Sequence, residues 1–409
     1  MPNHLVGLDI GSRTIKVALA ETRRDGSLTL LNVFKMPAAG LRKGAIDDMG
    51  DVTQAIAPAL SEIRKTSKSA LNNIFLGIGT SDIKVHSSIG VVAVSRADYE
   101  IYQDDVNRAI QSAQAINIAP NRTVLHSIVK EYIVDGMKEI HDPLGMIGSR
   151  LEVNSLIIDV FLPTLKNFSR CVEILGGGIK GLVLGPLASA RAVLTKSQKE
   201  LGVVLVDIGF GKTTMCVYEE GKLLHAAVFP VGSGNITNDL AIGLKIPVET
   251  AEIIKLSFGA ALAREVSARD TVELVKVDAR SRGTVSKKFI ADIIEVRLAE
   301  IFELVDNELK YLSKSGRLPA GVVLVGGGVK LPGIVELAKQ ELKLSAQIGL
   351  ADLSALEIKS SDLGPKLEDP EFVCALGLLF TGQDKALEAK KANLPFRGIL
   401  KRVFGYFAP

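Results

Sequence analysis

Apolar and polar positions along the chain alternate between short strand-like runs and amphipathic helical stretches. A first apolar run passes through Val6 and Leu8 to Asp9-Ile10-Gly11, then reopens beyond Ser12, Arg13 and Thr14 as a second run through Lys16 and Val17. Strands follow near Leu28 to Phe34 and Asn73 to Gly79, with a helix from about Val52 to Lys65 between them. From about Val85 to Val160 the pattern changes: a strand (Ser88 to Val94), a helix (Asp98 to Ala115) and two strands (Thr123 to Val134, Ser149 to Phe161) predict a small inserted α+β unit. A helix (Leu165 to Leu175), a strand (Gly181 to Leu184) and a helix (Leu187 to Leu194), placed to cross between lobes, restore the first pattern. The run Val204 to Val206 then closes on a second Asp207-Ile208-Gly209 and reopens as a strand to Val217. A long helix begins near Ser286 and ends near Ser313, and the buried strand Val322 to Val325 runs into Gly326-Gly327-Gly328, with Pro332 suited to a first helical turn.

The repeated turn carries the chemistry. Gly11, Gly209 and Gly211 let backbone N–H groups approach phosphate oxygens, while Ser12, Thr213, Thr214 and Lys16 or Lys212 add donors. Asp9 and Asp207 are candidates to hold a magnesium ion through water. The bare backbone at Gly326, Gly327 and Gly328 would let an adenosine lie flat against it. Gly176-Gly177-Gly178 is a different case, because it follows a helix and reads as its C-terminal stop. The order of elements, phosphate hairpin, insert, second phosphate hairpin, insert, triple glycine, resembles the actin, hexokinase and heat-shock chaperone ATPase superfamily. The expected fold is therefore α/β, an actin-like (ribonuclease H-like) two-lobe ATPase with an inserted small α+β subdomain.

Composition narrows the class. With 409 residues, 47% of them hydrophobic, the chain has material for more than one core. A net charge of +3 gives no field that argues for nucleic acid. Cys171, Cys216 and Cys374 are far apart in apolar stretches, the pattern of reduced, core-packed cysteine in a cytoplasmic chain. The histidines show no metal-ligand spacing, no signal peptide precedes the first strand, and no apolar run approaches the ~20 residues needed to cross a bilayer.

Five further stretches are specific to a family. Leu125-His126-Ser127-Ile128, Tyr132-Ile133-Val134-Asp135-Gly136 and Asp142-Pro143-Leu144-Gly145-Met146-Ile147-Gly148-Ser149-Arg150-Leu151-Glu152 resemble the insert of the bacterial cell-division actin homologues, the FtsA family. Gly185-Pro186-Leu187-Ala188-Ser189-Ala190 and Val231-Gly232-Ser233-Gly234-Asn235 resemble the same family, and the likeness spans essentially the whole chain. It implies subdomain IA over 1–84, the inserted subdomain IC over 85–162, the remainder of IA with the interlobe helix over 163–200, IIA over 201–236, IIB over 237–312, the rest of IIA over 313–364, and a return helix to IA over 365–381. A linker over 382–394 and an amphipathic membrane-targeting helix over 395–409 would follow. Val129 and Val296 stand where many relatives carry Pro, and the tail contains no Trp.

Function is then an expectation from that resemblance: an ATP-bound filament, self-contacting through IC and IIB, that tethers FtsZ to the cytoplasmic face of the cell membrane at the septum and recruits later division proteins. Gly232 joins the nucleotide site on the same ground. Glu252 and Lys255 share a helix face; alone they read as a surface ion pair, but in chaperone-like relatives a similar helix covers the ribose and adenine. No water-positioning residue announces itself, so the expectation is ATP binding with at most slow hydrolysis. Phe396, Ile399, Leu400, Val403, Phe404 and Phe407 recur at helical spacing, with Arg397, Lys401 and Arg402 off the stripe, which fits an anchor on an anionic membrane. Arg282, Lys287, Lys288 and Arg297 would form the basic rim that receives the acidic C-terminal peptide of FtsZ. The alternatives are a PilM-like assembly ATPase and a small-molecule kinase on the same core; a kinase would need a second-substrate carboxylate or amide cluster that the sequence does not offer.

Overall fold

In the computed structural model, which describes residues 3–23, 25–354 and 356–392, two lobes each build around one twisted sheet. In lobe I the sheet runs, edge to edge, Ile179–Leu184, Ile74–Ile78, Asn3–Ile10, Thr14–Thr22, Leu28–Pro37 and Leu356–Ile358. Lobe II repeats the plan with Lys222–Phe229, Thr213–Glu219, Val203–Ile208, Val322–Val325 and Ala346–Ile348. In both, an antiparallel hairpin places its first strand beside a parallel strand, with Val6 facing Ile74 in one lobe and Val204 facing Val322 in the other. The strands Asn3–Ile10 and Val203–Ile208 are covered on both faces, which is why they read as unbroken apolar runs.

The helix Gly185–Val193 joins the lobes. Cys216 Sγ of lobe II donates to its Pro186 carbonyl, and Ser189 Oγ donates to Asp207 at 3.4 Å. On its other side lies the helix Val373–Ala392. The two backbones approach so closely at Gly377 that a Cβ there would stand 1.8 Å from the Ala188 carbonyl oxygen. Glycine is required at that crossing by space alone.

The insert is a four-stranded sheet in the order Lys84–Ala93, Arg150–Phe161, Arg122–Val134, Met137–Ile140, with Gln103–Gln114 packed on it. Its own core holds Val106, Ala109, Ile110, Tyr132 and Val153, while Leu125, Ile128, Leu156 and Ile158 belong to the core of lobe I. The two long strands thus root the insert in the body.

Several boundaries differ from expectation. The helix expected from Asp98 begins at Gln103, because Tyr99 turns into the left-handed region (φ 55°) and Asp105 caps the helix start by accepting from Tyr102 N–H at 3.0 Å. Pro332 precedes its helix rather than entering it: Gly327–Lys330 form a short 3-10 turn, and Ile334–Leu342 starts after Gly333 at φ +81°. The return helix begins at Val373, not 365, after a separate turn at Pro370–Phe372. It also passes straight through the expected linker from 382 and continues to Ala392. Gln383 donates to the Gly26 carbonyl at 2.9 Å and Asp384 accepts two bonds from Arg191, so these polar residues are packed onto the body. The membrane-anchor residues Phe396 to Phe407 lie outside the described residues. Among the described residues, no helix is long and apolar enough to cross a membrane.

Candidate functional site

The two Asp-Ile-Gly turns are built alike and face one another. Gly11 N–H donates to the Thr14 carbonyl at 3.1 Å, and Gly209 N–H donates to the Lys212 carbonyl at 2.9 Å. Strand pairing sets what stands opposite each aspartate: Lys16 faces Asp9 in the first hairpin, and Thr214 faces Asp207 in the second. The turns meet so tightly that a Cβ on Gly211 would lie 2.5 Å from Ser12 Oγ. Between the lobes they enclose a cavity of about 510 Å³, lined by both aspartates, both hairpins, Glu252, Lys255, Gly327 and Gly328. That volume suits a nucleotide-sized ligand.

Electrostatics inside this cavity are strongly coupled. Burial, reinforced by the neighbouring Asp9, pushes the Asp207 carboxyl up to about 6. Burial acts to lower Lys16, but Asp9, Glu371 and Asp207 outweigh it and hold the ammonium above its ordinary value. Lys212 goes the other way, lowered by burial despite Asp9 and Asp207. Lys16 Nζ sits 3.4 Å from Asp9, whereas Lys212 Nζ reaches across the cleft and donates to the Gly79 carbonyl at 2.7 Å. Like charges forced together at the cavity floor are a standing demand for a cation, and the lysines above them for an anion.

Glu252 and Lys255 are not a surface pair. Both are buried, 2.7 Å apart, and the Thr237 hydroxyl donates to Glu252 while Lys255 donates to the Ser233 carbonyl at 3.1 Å. Arg13 from the opposite lobe completes the group at 3.2 Å from Glu252 and lies over the Phe210 ring. Burial lowers Lys255, partly offset by Glu252.

Three expected contacts are corrected. Thr213 is fully buried and donates to the Val231 carbonyl at 2.8 Å, so it supports the hairpin from behind. Strand alternation points its neighbour Thr214 into the cavity, where Thr214 Oγ1 has no hydrogen-bond partner among the described residues. Gly232 does not line the cavity either; it begins the helix Ser233–Leu244 and packs against the second turn, where a Cβ would meet the Gly209 carbonyl oxygen at 2.6 Å. Gly326 lies beneath the site at φ +93°, and a Cβ there would run into Asp207. Gly327 and Gly328 do line the cavity, as do Gly11, Ser12, Lys16, Gly209 and Gly211.

The site also includes Arg13 of the first hairpin, Lys330 at the end of the glycine turn, and, from remote segments, Lys35, Gly79, Glu371 and Cys374. Burial works against ionisation of Glu371, but hydrogen bonds from Lys35 and Thr14 and the charge of Lys16 hold it down to about 2. Magnesium and a triphosphate fit this donor set. The unpartnered Thr214 hydroxyl and the two turn backbones suit phosphate, and the close carboxylates suit a hydrated cation. Among the described residues no third His, Cys, Asp or Glu joins them as a metal cluster.

The expected partner surface is only partly assembled. Arg297 donates two bonds to Asp239, at 2.6 and 2.9 Å, and pairs with Glu300. These three, with Asp292, Ile293 and Val296, line a second cavity of about 330 Å³. Lys287 lies 3.7 Å from Asp270, and Arg282 and Lys288 are exposed; none of the three lines that groove.

Comparison with known proteins agrees with this architecture. The family signature described as "Cell division protein FtsA" matches residues 204–377, and the "SHS2 domain inserted in FTSA" matches residues 80–159. The cell division protein FtsA of Pseudomonas aeruginosa is 33% identical over 93% of this chain and 89% of its own length. Among solved structures, the PilM-PilN type IV pilus biogenesis complex has a TM-score of 0.66 at 16% identity, covering 93% of this chain and 98% of that chain. MreB5 of Spiroplasma citri bound to ADP has a TM-score of 0.56 at 11% identity, covering 96% and 99%. Those likenesses establish an actin-like fold.

Proposed function

The chain belongs to the FtsA family of cell-division proteins, and on that premise we propose that it is an ATP-binding filament protein that holds the FtsZ ring to the cytoplasmic face of the cell membrane at the septum. The observation that carries the nucleotide part is the convergence of Asp9 and Asp207 on one cavity between the lobes. ATP with magnesium is the ligand whose charges match it, and MreB5, a relative in fold, has been solved with ADP. Gly11, Gly209 and Gly211 bring backbone N–H groups to the phosphates, Ser12, Lys16, Lys212 and Thr214 add donors, and Asp9 and Asp207 orient the cation's water shell. Magnesium, when bound, neutralises charge on the phosphates. Glu252, Lys255, Gly327 and Gly328 flank the nucleoside.

Hydrolysis in this reading is slow. Glu252 and Glu371 are each held by cations and a hydroxyl, which leaves neither carboxylate free to orient a water. ATP instead sets the angle between lobes, and with it the contacts of the insert and of lobe II in a filament.

Phe396, Arg397, Ile399, Leu400, Lys401, Arg402, Val403, Phe404 and Phe407 form the membrane anchor, weak singly and strong when a filament presents many. The FtsZ C-terminal peptide docks on the face of lobe II that carries Arg282, Lys287, Lys288 and Arg297, and the filament recruits later division proteins. Co-sedimentation with anionic liposomes tests the tether: deletion of Phe396 to Pro409 abolishes pelleting and leaves ATP binding intact, whereas continued pelleting refutes the anchor.

A further inference from the structure

Glu371 lies at the mouth of the nucleotide cavity, on the turn Pro370–Phe372 of lobe I, just before the helix Val373–Ala392. Its carboxylate is engaged from three elements at once. Thr14 Oγ1 of the first phosphate hairpin donates to it at 2.8 Å, Lys35 Nζ at 2.7 Å, and Lys330 Nζ lies 3.2 Å away. Lys330 belongs to lobe II, at the end of the glycine turn Gly327–Lys330, and its ammonium also donates to Asp369 at 2.5 Å. A main-chain bond runs beside these, from Gly326 N–H to the Pro370 carbonyl at 3.0 Å. The turn before the C-terminal helix is therefore a receptor for the glycine turn of the opposite lobe, and it grips the first phosphate hairpin with the same carboxylate.

Two other ties across the cleft have a different character. Lys212 to Gly79, and Arg13 to Glu252, use cations that line the cavity on the phosphate hairpins themselves, where an anionic ligand would compete for them. At Glu371 the anion itself is the fixed part of the tie: a phosphate would compete with it for Lys35 and Lys330, which also line the cavity, while the Gly326 N–H to Pro370 carbonyl bond stands outside that competition.

We propose that Glu371, assisted by Asp369, is a positioning residue of the cleft: through Lys330 it locks the glycine turn of lobe II onto the Thr14 and Lys35 side of lobe I and so sets how far the cleft opens. This deepens the nucleotide reading above and rests on it for its ligand. Its sign is opposite to that of simple charge. Removing a negative group beside the phosphates would by charge alone slow nucleotide loss, whereas loosening the lock speeds it.

The experiment uses the full chain, a fluorescent methylanthraniloyl ATP with magnesium in stopped flow, and hydrogen exchange without nucleotide. Glu371→Gln is expected to dissociate the nucleotide about three- to tenfold faster, the scale of a charged hydrogen bond in a half-exposed cluster. Exchange should rise together in Gly327–Lys330 and around Thr14, two segments distant in sequence. Asp369→Asn should shift both readouts in the same direction by less, and Glu371→Gln combined with Lys330→Gln should exceed the larger single effect by little. Unchanged or slower dissociation, exchange that rises only at the substituted turn, or additive effects of Glu371→Gln and Lys330→Gln would overturn the lock. If Glu371→Gln does not fold, Asp369→Asn decides by the same readouts. If the unsubstituted protein binds no nucleotide, the ATP reading fails, and the exchange arm still judges the lock.

Discussion

Lys212 Nζ of lobe II donates to the Gly79 carbonyl of lobe I at 2.7 Å, directly across the cavity that holds Asp9 and Asp207. A buried ammonium satisfied by one carbonyl and lowered by burial retains donors for a phosphate oxygen. Lys212→Met should weaken ATP binding by at least about tenfold, or 1.4 kcal/mol. Titration calorimetry checks this, and an unchanged dissociation constant would remove Lys212 from the site.

Protonation of Asp207 gives the site a defined pH response. Its folded value, about 6, lies above the ordinary aspartate value of 3.8, so the folded protein holds this proton more tightly than the unfolded chain does. Without magnesium, stability from this group is fully gained only below about pH 4 and is lost as pH rises through 6, about 3 kcal/mol in total. Asp207→Asn should flatten that part of the profile in urea melts. Magnesium-dependent ATP binding should run oppositely, falling as pH drops below about 6 because the protonated acid cannot serve the cation.

The buried ion pair and its exposed neighbour should behave differently. Glu252→Ala strands the Lys255 ammonium, which is only 4% exposed, and should cost about 3–5 kcal/mol of stability. Arg13→Ala removes a side chain that is 47% exposed and should cost less than about 1 kcal/mol. Thermal unfolding of the two variants distinguishes them; equal losses would contradict the assigned burial.

Gly377→Ala should disrupt the crossing of the two central helices of lobe I. The added methyl has no room against the Ala188 backbone, so the penalty should be at the upper end of overpacking, about 3 kcal/mol or more. A variant that melts like the parent would show that the crossing can move apart.

What the sequence made legible was local. Asp9 and Asp207 were readable because each closes an apolar strand on its own turn, and the repetition of that turn in the two halves fixed the two-lobe plan. Thr213 and Thr214 were not separable, since adjacent strand residues point to opposite faces and only the facing of the sheet selects Thr214. Glu371, Gly79 and Lys35 reach the cavity from segments with no phosphate-binding pattern of their own, and only tertiary packing brings them there. The charged run after Gly382 reads as a tether by composition, yet Gln383 and Asp384 spend their polarity on Gly26 and Arg191, and the helix continues.

The most direct test of the account is calorimetric titration of ATP into the full chain with and without magnesium, repeated on Asp9→Asn and Asp207→Asn. The account predicts one saturable site per chain whose affinity rises with magnesium in the parent and loses that magnesium dependence in both variants. No ATP binding, or the same magnesium dependence in all three proteins, would contradict the convergence of those two carboxylates on a single nucleotide.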